Sequence, residues 1–215
     1  MKYSTILFDL DGTLTDPEQG ICGSVRYALE KAGKPVGPIE SYHKYIGPPL
    51  LRSFEVYANA TPEEAKQLLG FYRERFSTVG LFENEVYSGI PELLHALAER
   101  GLKLAVLSNK PDADTKNVIS HFFPDVPFSV VRGQVEGVPV KPDKAGALLV
   151  AEQLGIAPAD FLYLGDTKVD MTCACSAGMN PVGVLWGFRT AQELLDNGAK
   201  VLIAHPMELL EKFNL

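Results

Sequence analysis

The sequence predicts an α/β protein: a doubly wound parallel sheet with a small all-helical insert near the N-terminus. Three observations carry that prediction. Apolar runs rich in branched and aromatic residues recur at Thr5–Leu10, Lys103–Leu107, Phe128–Val131, Phe161–Gly165 and Pro181–Val184, the pattern of strands buried on both faces. From about residue 83 onward, segments with helical periodicity alternate with these runs, as the crossovers of a parallel sheet must. Between residues 16 and 82 no convincing strand occurs, and every patterned segment is helical. The chain therefore divides into a Rossmann-like core of residues 1–15 and 83–215 and a helical domain of residues 16–82.

Each element has a local reason. The first run ends in two carboxylates, Asp9 and Asp11, before Gly12 breaks it. Thr15-Asp16-Pro17-Glu18 places proline and acid where a first helical turn favours them, and Ile21, Val25, Ala28, Leu29 and Ala32 follow at helical spacing until Gly33. Further helices are expected over about Ile39–Tyr45 and Leu50–Ala58. Thr61-Pro62-Glu63-Glu64 opens a third, with Leu68, Leu69, Tyr72 and Phe76 on one face. In the second part Ile90-Pro91-Glu92 begins a helix that Gly101 ends, and the strand Lys103–Leu107 stops at Ser108-Asn109-Lys110. A helix covers Asp112–Phe122, and Lys141-Pro142-Asp143 leads into one reaching Leu154. Asp166 ends the next strand, a small-residue helix runs to Ala177, and the pair Val201–Ile203 and Pro206–Phe213 closes the chain.

At 215 residues, with 46% hydrophobic and 22% charged content, the chain can bury one substantial core and an insert. A net charge of −7 and a pI near 5.1 argue against nucleic acid or an acidic membrane surface as partner. No apolar run approaches a membrane span, and the N-terminus lacks the basic-then-apolar pattern of a signal peptide. Cys22, Cys173 and Cys175 form no paired framework, which suits a cytoplasmic location. Cys173 and Cys175 read as small buried packing residues, and the histidines as scattered surface or core residues.

In an open parallel sheet, ligands bind at the carboxyl ends of the strands. There the sequence places Asp9 and Asp11, then Ser108 and Asn109, then Asp166 with Asp170 one turn further on; Lys141 opens the helix after the third strand. Side chains two apart in extended chain point the same way, so Asp9 and Asp11 can face one site, where they repel unless a cation or a shared proton relieves them. Four carboxylates against one lysine call for a cation, and hard oxygen donors with few histidines point to Mg²⁺ in preference to zinc. Such an ion beside Lys141 and the Ser108 hydroxyl makes a pocket for a phosphoryl dianion. Asp9 can then attack phosphorus, and Asp11 can protonate the leaving oxygen and deprotonate the hydrolytic water.

Asp9-Leu10-Asp11-Gly12-Thr13-Leu14, Ser108-Asn109-Lys110-Pro111, Lys141-Pro142 and Gly165-Asp166-x-x-x-Asp170 resemble, in order, the four motifs of the haloacid dehalogenase superfamily. The resemblance covers essentially the whole chain. It implies Asp9 as nucleophile and Asp11 as general acid/base, with Ser108 and Lys141 on the phosphoryl group. It also implies Mg²⁺ held by Asp9, the Asp11 carbonyl and Asp166, with Asp170 nearby, and a helical cap that closes over the site. The dehalogenase and phosphonatase branches resemble this chain but lack an acid at the position of Asp11. Sugar-phosphate mutases of similar build carry a cap histidine where Gln19–Ser24 has none. Phosphomonoester hydrolysis is the remaining expectation.

Ser108-Asn109-Lys110-Pro111 and Tyr87–Leu94 look most like phosphoglycolate phosphatases, while Ile46-Gly47-Pro48-Pro49-Leu50 resembles relatives that hydrolyse pyrophosphate or nucleoside 5′-monophosphates. The expected substrate is 2-phosphoglycolate or a similar small phosphorylated metabolite, with those two as alternatives. Candidate substrate contacts are Asn109 and Lys110 beside the site, Gly47 in its rigid Gly-Pro-Pro turn, and the flanking Lys44 and Arg52. From another class, a non-enzymatic phospho-acceptor or binding module fits the core, but Asp11 and the full cap argue against it. The assembly expected is a monomer or homodimer with no nucleic-acid or membrane partner.

Overall fold

The computed structural model describes residues 3–215. In chain order the elements are β1 (Thr5–Phe8), β2 (Thr15–Asp16), α1 (Glu18–Lys31), α2 (Leu50–Tyr57), α3 (Pro62–Arg75), β3 (Glu85–Val86), α4 (Ile90–Glu99), β4 (Lys103–Pro111), α5 (Asp112–Phe122), β5 (Phe128–Gln134), α6 (Ala145–Leu154), β6 (Phe161–Gly165), α7 (Lys168–Ala177), β7 (Asn180–Val184), α8 (Ala191–Asp196), β8 (Val201–Ile203) and α9 (Glu208–Phe213). Contacts separate the chain up to Thr15 together with Val86–Leu215 from a helical unit, Asp16–Glu85. Among the described residues no helix is long and apolar enough to cross a membrane.

Six strands make one sheet in the order β5-β4-β1-β6-β7-β8, with every neighbouring pair parallel. β1 pairs Thr5–Phe8 with Lys103–Val106 on one side and with Phe161–Leu164 on the other. Because successive side chains alternate faces, both faces must be covered. Leu7, Ala105, Phe161 and Tyr163 pack with Ala147 and Val150 of α6 and with Cys173 and Ala174 of α7. Ile6, Phe8, Val106, Leu162 and Leu164 point the other way and are equally buried. Parallel pairing also brings the carboxyl ends of β1, β4 and β6 to one edge of the sheet.

The helical unit is built from α1, α2 and α3, a 3₁₀ segment at Ile39–Tyr45 and a π-helical turn at Phe76–Gly80. Thr61 and Glu64 cap α3 reciprocally, as the Thr-Pro-Glu-Glu pattern predicts. Tyr45 and Phe54 pack ring against ring at 5.5 Å, and Tyr72 stacks on Phe76 at 5.1 Å.

Several expectations shift. β4 does not stop at Leu107 but runs to Pro111, because β5 keeps pairing with it as far as Pro111↔Gln134, so Ser108, Asn109 and Lys110 lie on the strand. Lys141 does not open a helix; α6 starts only at Ala145, and Lys141 sits in the preceding loop with a cis bond to Pro142. Cys173 is buried but Cys175 is exposed, since residues two apart on a helix lie roughly 200° around its axis. α8 passed unread, being only six residues long; its signal is Thr190, whose hydroxyl accepts from the Glu193 N–H.

Within the helical unit, a Cβ at Gly20 would overlap the Gly80 carbonyl oxygen, a backbone atom that cannot rotate away. Helix propensity favours Gly20→Ala by about 1 kcal/mol, but overpacking against backbone costs about 1–3 kcal/mol. The thermal midpoint of this variant is therefore expected to fall by several degrees. A rise in a circular-dichroism melt would contradict this close approach.

Candidate active site

β1 ends at Phe8, and the Asp9 N–H donates to the Leu164 carbonyl across the sheet at 2.9 Å. The chain then curls, with the N–H groups of Thr13, Leu14 and Thr15 all turning back to the Leu10 carbonyl at 3.3, 2.9 and 3.1 Å. This places Asp9 and Asp11, both buried, at the entrance of a tight turn. Gly12 has φ +91°, and a Cβ there would lie 2.5 Å from Asp166 Oδ2, so conformation and space both demand glycine.

The two acids take separate cations. Lys141 Nζ donates to Asp9 Oδ1 at 2.6 Å, Asp170 Oδ1 at 2.7 Å and the Leu107 carbonyl at 3.0 Å, which engages all three of its protons. Lys110 Nζ donates to Asp11 Oδ1 at 2.5 Å. Neither lysine is more than 4% exposed at its side chain. Asn109 fixes the Lys141 backbone from both sides: its Nδ2 donates to the Lys141 carbonyl at 3.1 Å, and its Oδ1 accepts from the Lys141 N–H at 2.9 Å. Ser108 is buried, and its Oγ accepts from the Lys110 N–H at 3.1 Å.

The remaining acids come from the β6–α7 connection. Thr167 caps α7 and donates from Oγ1 and N to Asp170 Oδ2 at 2.6 and 3.2 Å. Asp166 Oδ2 accepts from the Phe188 N–H at 2.8 Å, whereas its Oδ1 is buried without a hydrogen-bond partner. Such an orphaned carboxylate oxygen is costly unless something electropositive reaches it.

Burial raises the pKa of Asp9 well above the ordinary carboxylate value, and the charges of Asp170 and Asp166 add to this while Lys141 opposes it. Burial also pushes Asp166 up to about 7, with Asp170 adding to the effect and the Phe188 N–H and Arg189 opposing it. Burial disfavours the Lys141 ammonium, but the facing Asp170 and Asp9 outweigh that and hold its pKa above the usual lysine value. Oxygens of Asp9, Asp166 and Asp170 all lie within 4.8 Å of one another. The all-oxygen donor set and the unpartnered Asp166 Oδ1 fit a hard divalent ion such as Mg²⁺. The Asp11 carboxylate is not part of that group.

The structure thus brings Asp9, Asp11, Ser108, Lys141, Asp166 and Asp170 to one sheet edge. Asn109 and Lys110, expected on substrate, are there too, but Asn109 holds Lys141 and Lys110 holds Asp11. Gly47, Lys44 and Arg52 belong to the helical unit: Gly47 turns at φ +98°, Lys44 lies 5.2 Å over the Tyr57 ring, and Arg52 pairs with Glu55 at 2.8 Å. Three supporting residues escaped the sequence reading. Thr167-x-x-Asp170 has legible capping-box spacing. Phe188, and Trp186, whose Nε1 donates to the Thr13 carbonyl at 3.0 Å, act through positions that no spacing announces.

Comparison with known proteins agrees with this geometry. Residues 6–184 match the model of the haloacid dehalogenase-like hydrolase family. A 5′-nucleotidase of Pseudomonas aeruginosa is 37% identical over 195 residues, covering 90% of this chain and 88% of that protein. A phosphoglycolate phosphatase of Haemophilus influenzae is 30% identical over 87% of this chain and 88% of its own length. The crystal structure of a protein described as a predicted phosphatase, from Clostridium acetobutylicum, superposes with a TM-score of 0.92 at 35% identity and covers 99% of this chain and 98% of that one. The chain belongs to the haloacid dehalogenase-like hydrolase family, among its phosphatases.

A carboxyl whose folded pKa is raised favours the folded state at low pH and loses that contribution as pH rises towards its folded value. Asp166, near 7 when folded against an ordinary 3.8, therefore weakens the cation-free protein between about pH 4 and 7. Protons compete with a cation for the same oxygens. Saturating Mg²⁺ is thus expected to raise the thermal midpoint by several degrees at pH 8 and by distinctly less at pH 5. A shift independent of pH, or absent in Asp166→Asn and wild type alike, would count against cation binding at this acidic group.

Proposed function

We propose that the chain hydrolyses phosphomonoesters of small metabolites through a phospho-aspartate on Asp9, with Mg²⁺ held by Asp9, Asp166, Asp170 and the Asp11 carbonyl. The observation that carries this reading is the division of labour between two acids on one turn, with Asp9 bound to Lys141 and Asp11 bound to Lys110. Mg²⁺, when bound, neutralises phosphoryl oxygens and balances the surplus of carboxylates.

The chain's own residues supply the rest. Lys141 aims Asp9 and opposes the burial that favours its protonation. The Asp9 carboxylate attacks phosphorus, and the P–O bond to the leaving group breaks as the leaving oxygen takes the proton that Asp11 carries as a carboxylic acid at this step, its Oδ1 still accepting from Lys110. Asp11 then removes a proton from water as the water oxygen attacks phosphorus, which releases phosphate and restores Asp9. Lys110 fixes the rotamer of Asp11, and Ser108, accepting from the Lys110 N–H, keeps its own hydroxyl proton for a phosphoryl oxygen.

For the substrate, the 37% identity to a 5′-nucleotidase, against 30% to a phosphoglycolate phosphatase, moves nucleoside 5′-monophosphates ahead of 2-phosphoglycolate. The second reading keeps the support of Ser108-Asn109-Lys110-Pro111 and Tyr87–Leu94.

Phosphate release measured with Mg²⁺ over nucleoside monophosphates, 2-phosphoglycolate, pyrophosphate and sugar phosphates tests both readings, with Asp9→Asn as blank. One nucleotide class is expected to dominate, and its activity to vanish in the blank. Turnover at the wild-type rate in Asp9→Asn would remove the nucleophile assignment, and preference for 2-phosphoglycolate would reverse the substrate order. Asp11→Asn is expected to slow alkyl phosphates by about 10²–10⁴-fold but p-nitrophenyl phosphate far less, since the latter's leaving group needs little protonation. Equal losses on the two would mean that Asp11 is not the proton donor.

A further inference from the structure

The helical unit contains a cleft of about 330 Å³ that the proposed chemistry does not use. Its walls come from the turn after α1, the 3₁₀ segment Ile39–Tyr45 and the end of α2, and include Lys34, Lys44, Tyr42, Tyr45 and Tyr57. Neither Gly47 nor Arg52 lines it. Its volume falls in the range of small-molecule sites, roughly 300–1,000 Å³.

Charge is the first observation. Among the described residues, two lysines and no acid line this cleft, in a protein whose net charge is −7. Lys34 meets Glu64 only at 3.6 Å, and Lys44 lies 5.2 Å over the ring of Tyr57. Both ammonium groups can therefore turn to an anion at little cost, as lightly compensated cations do. Shape is the second. Tyr45 is buried and braced by Tyr42 at 6.2 Å and Tyr57 at 5.3 Å, while Tyr57 itself is 40% exposed and presents ring surface. Burial pushes the Tyr45 hydroxyl up to about 12, so that ring adds no repelling charge. The Tyr42 hydroxyl accepts from the Gly37 N–H at 2.8 Å and still carries a proton it can donate.

We propose that this cleft binds a small organic anion with a flat aromatic body, its acid group on Lys34 and Lys44 and its ring on Tyr57. The site lies wholly within Asp16–Glu85, and none of its lining residues is assigned a role in the proposed chemistry. Ring faces confer the aromatic preference, and the paired ammonium groups the requirement for charge.

The test is calorimetric titration of the full chain in an Asp9→Asn background, so that no turnover intrudes. The probes are naphthalene-1-sulfonate, cyclohexanesulfonate and neutral 1-naphthalenemethanol, none of which can be hydrolysed as a phosphate ester. Naphthalene-1-sulfonate is expected to bind with one-to-one stoichiometry, and the other two more weakly by about fivefold or more. Lys34→Gln/Lys44→Gln and Tyr57→Ala should each weaken naphthalene-1-sulfonate by about fivefold to tenfold, with thermal melts verifying that the variants fold. Lys66→Gln removes an exposed cation outside the cleft and should leave the affinity unchanged. No saturable binding at millimolar probe, or equal weakening by Lys66→Gln and by the Lys34/Lys44 variant, would overturn the proposal. Phosphate release by the wild type is measured separately, so neither result bears on the assignment of Asp9.

Discussion

Buried carboxylates that must be kept apart from water and close to one another set the terms for this molecule. Two unit charges about 4 Å apart interact by about 4 kcal/mol at an effective dielectric of 20, so Asp9, Asp166 and Asp170 would expel one another from an unsupported site. The fold answers with placement. Three parallel strands end at the same edge, each delivering a polar group where the apolar layers stop. Lys141 then reaches in from a loop and ties Asp9 of one strand end to Asp170 of another. Breaking such a buried pair by removing one partner costs about 3–5 kcal/mol, because the other charge is left behind.

That arrangement couples stability to function. Two ammonium groups do not neutralise four acids, and the shortfall is concentrated at Asp166, whose Oδ1 has no partner. The same shortfall that weakens the cation-free protein is one that a hard divalent ion would relieve. The lysine clamp has a second consequence. Lys141 already gives its three protons to Asp9, Asp170 and Leu107, so any further acceptor it meets must displace one of these.

The strand runs, the helical stretch and the placement of Asp9, Asp11, Ser108, Asp166 and Asp170 at the sheet edge were legible because each rests on a short-range rule, whereas Lys141 was marked only by its Lys-Pro motif and sits in a loop, not at a helix start. Apolar runs end where strands end, and carboxylates two apart in extended chain share a direction. Roles that depend on a distant partner were not legible. Lys110 pairs with a residue 99 positions away and Asn109 with one 32 positions away, so sequence neighbourhood suggested substrate contacts instead. The missed charge of Lys110 also explains why the count of one lysine against four acids overstated the site's deficit. β4 ran further than its apolar run because a neighbouring strand, not its own composition, decides where pairing stops.

The contrast between the two units explains why motif matches speak to chemistry more than to substrate. In the core, each reactive group is overdetermined: Gly12 is excluded from bearing a side chain by Asp166, Lys141 is clamped on both backbone groups, and Asp170 is fixed by its own helix cap. Few residue types satisfy such constraints, so they leave a readable pattern. In the helical unit, the polar groups of interest sit on turns and half-exposed faces, where Arg52 meets Glu55 and Lys34 meets Glu64 across solvent-facing distances. Surface pairs of this kind contribute about 0–1 kcal/mol, so stability barely constrains which residues occupy them. Residue identity is therefore free to change there while the sheet edge stays the same. A 5′-nucleotidase and a phosphoglycolate phosphatase can therefore both resemble this chain over most of its length.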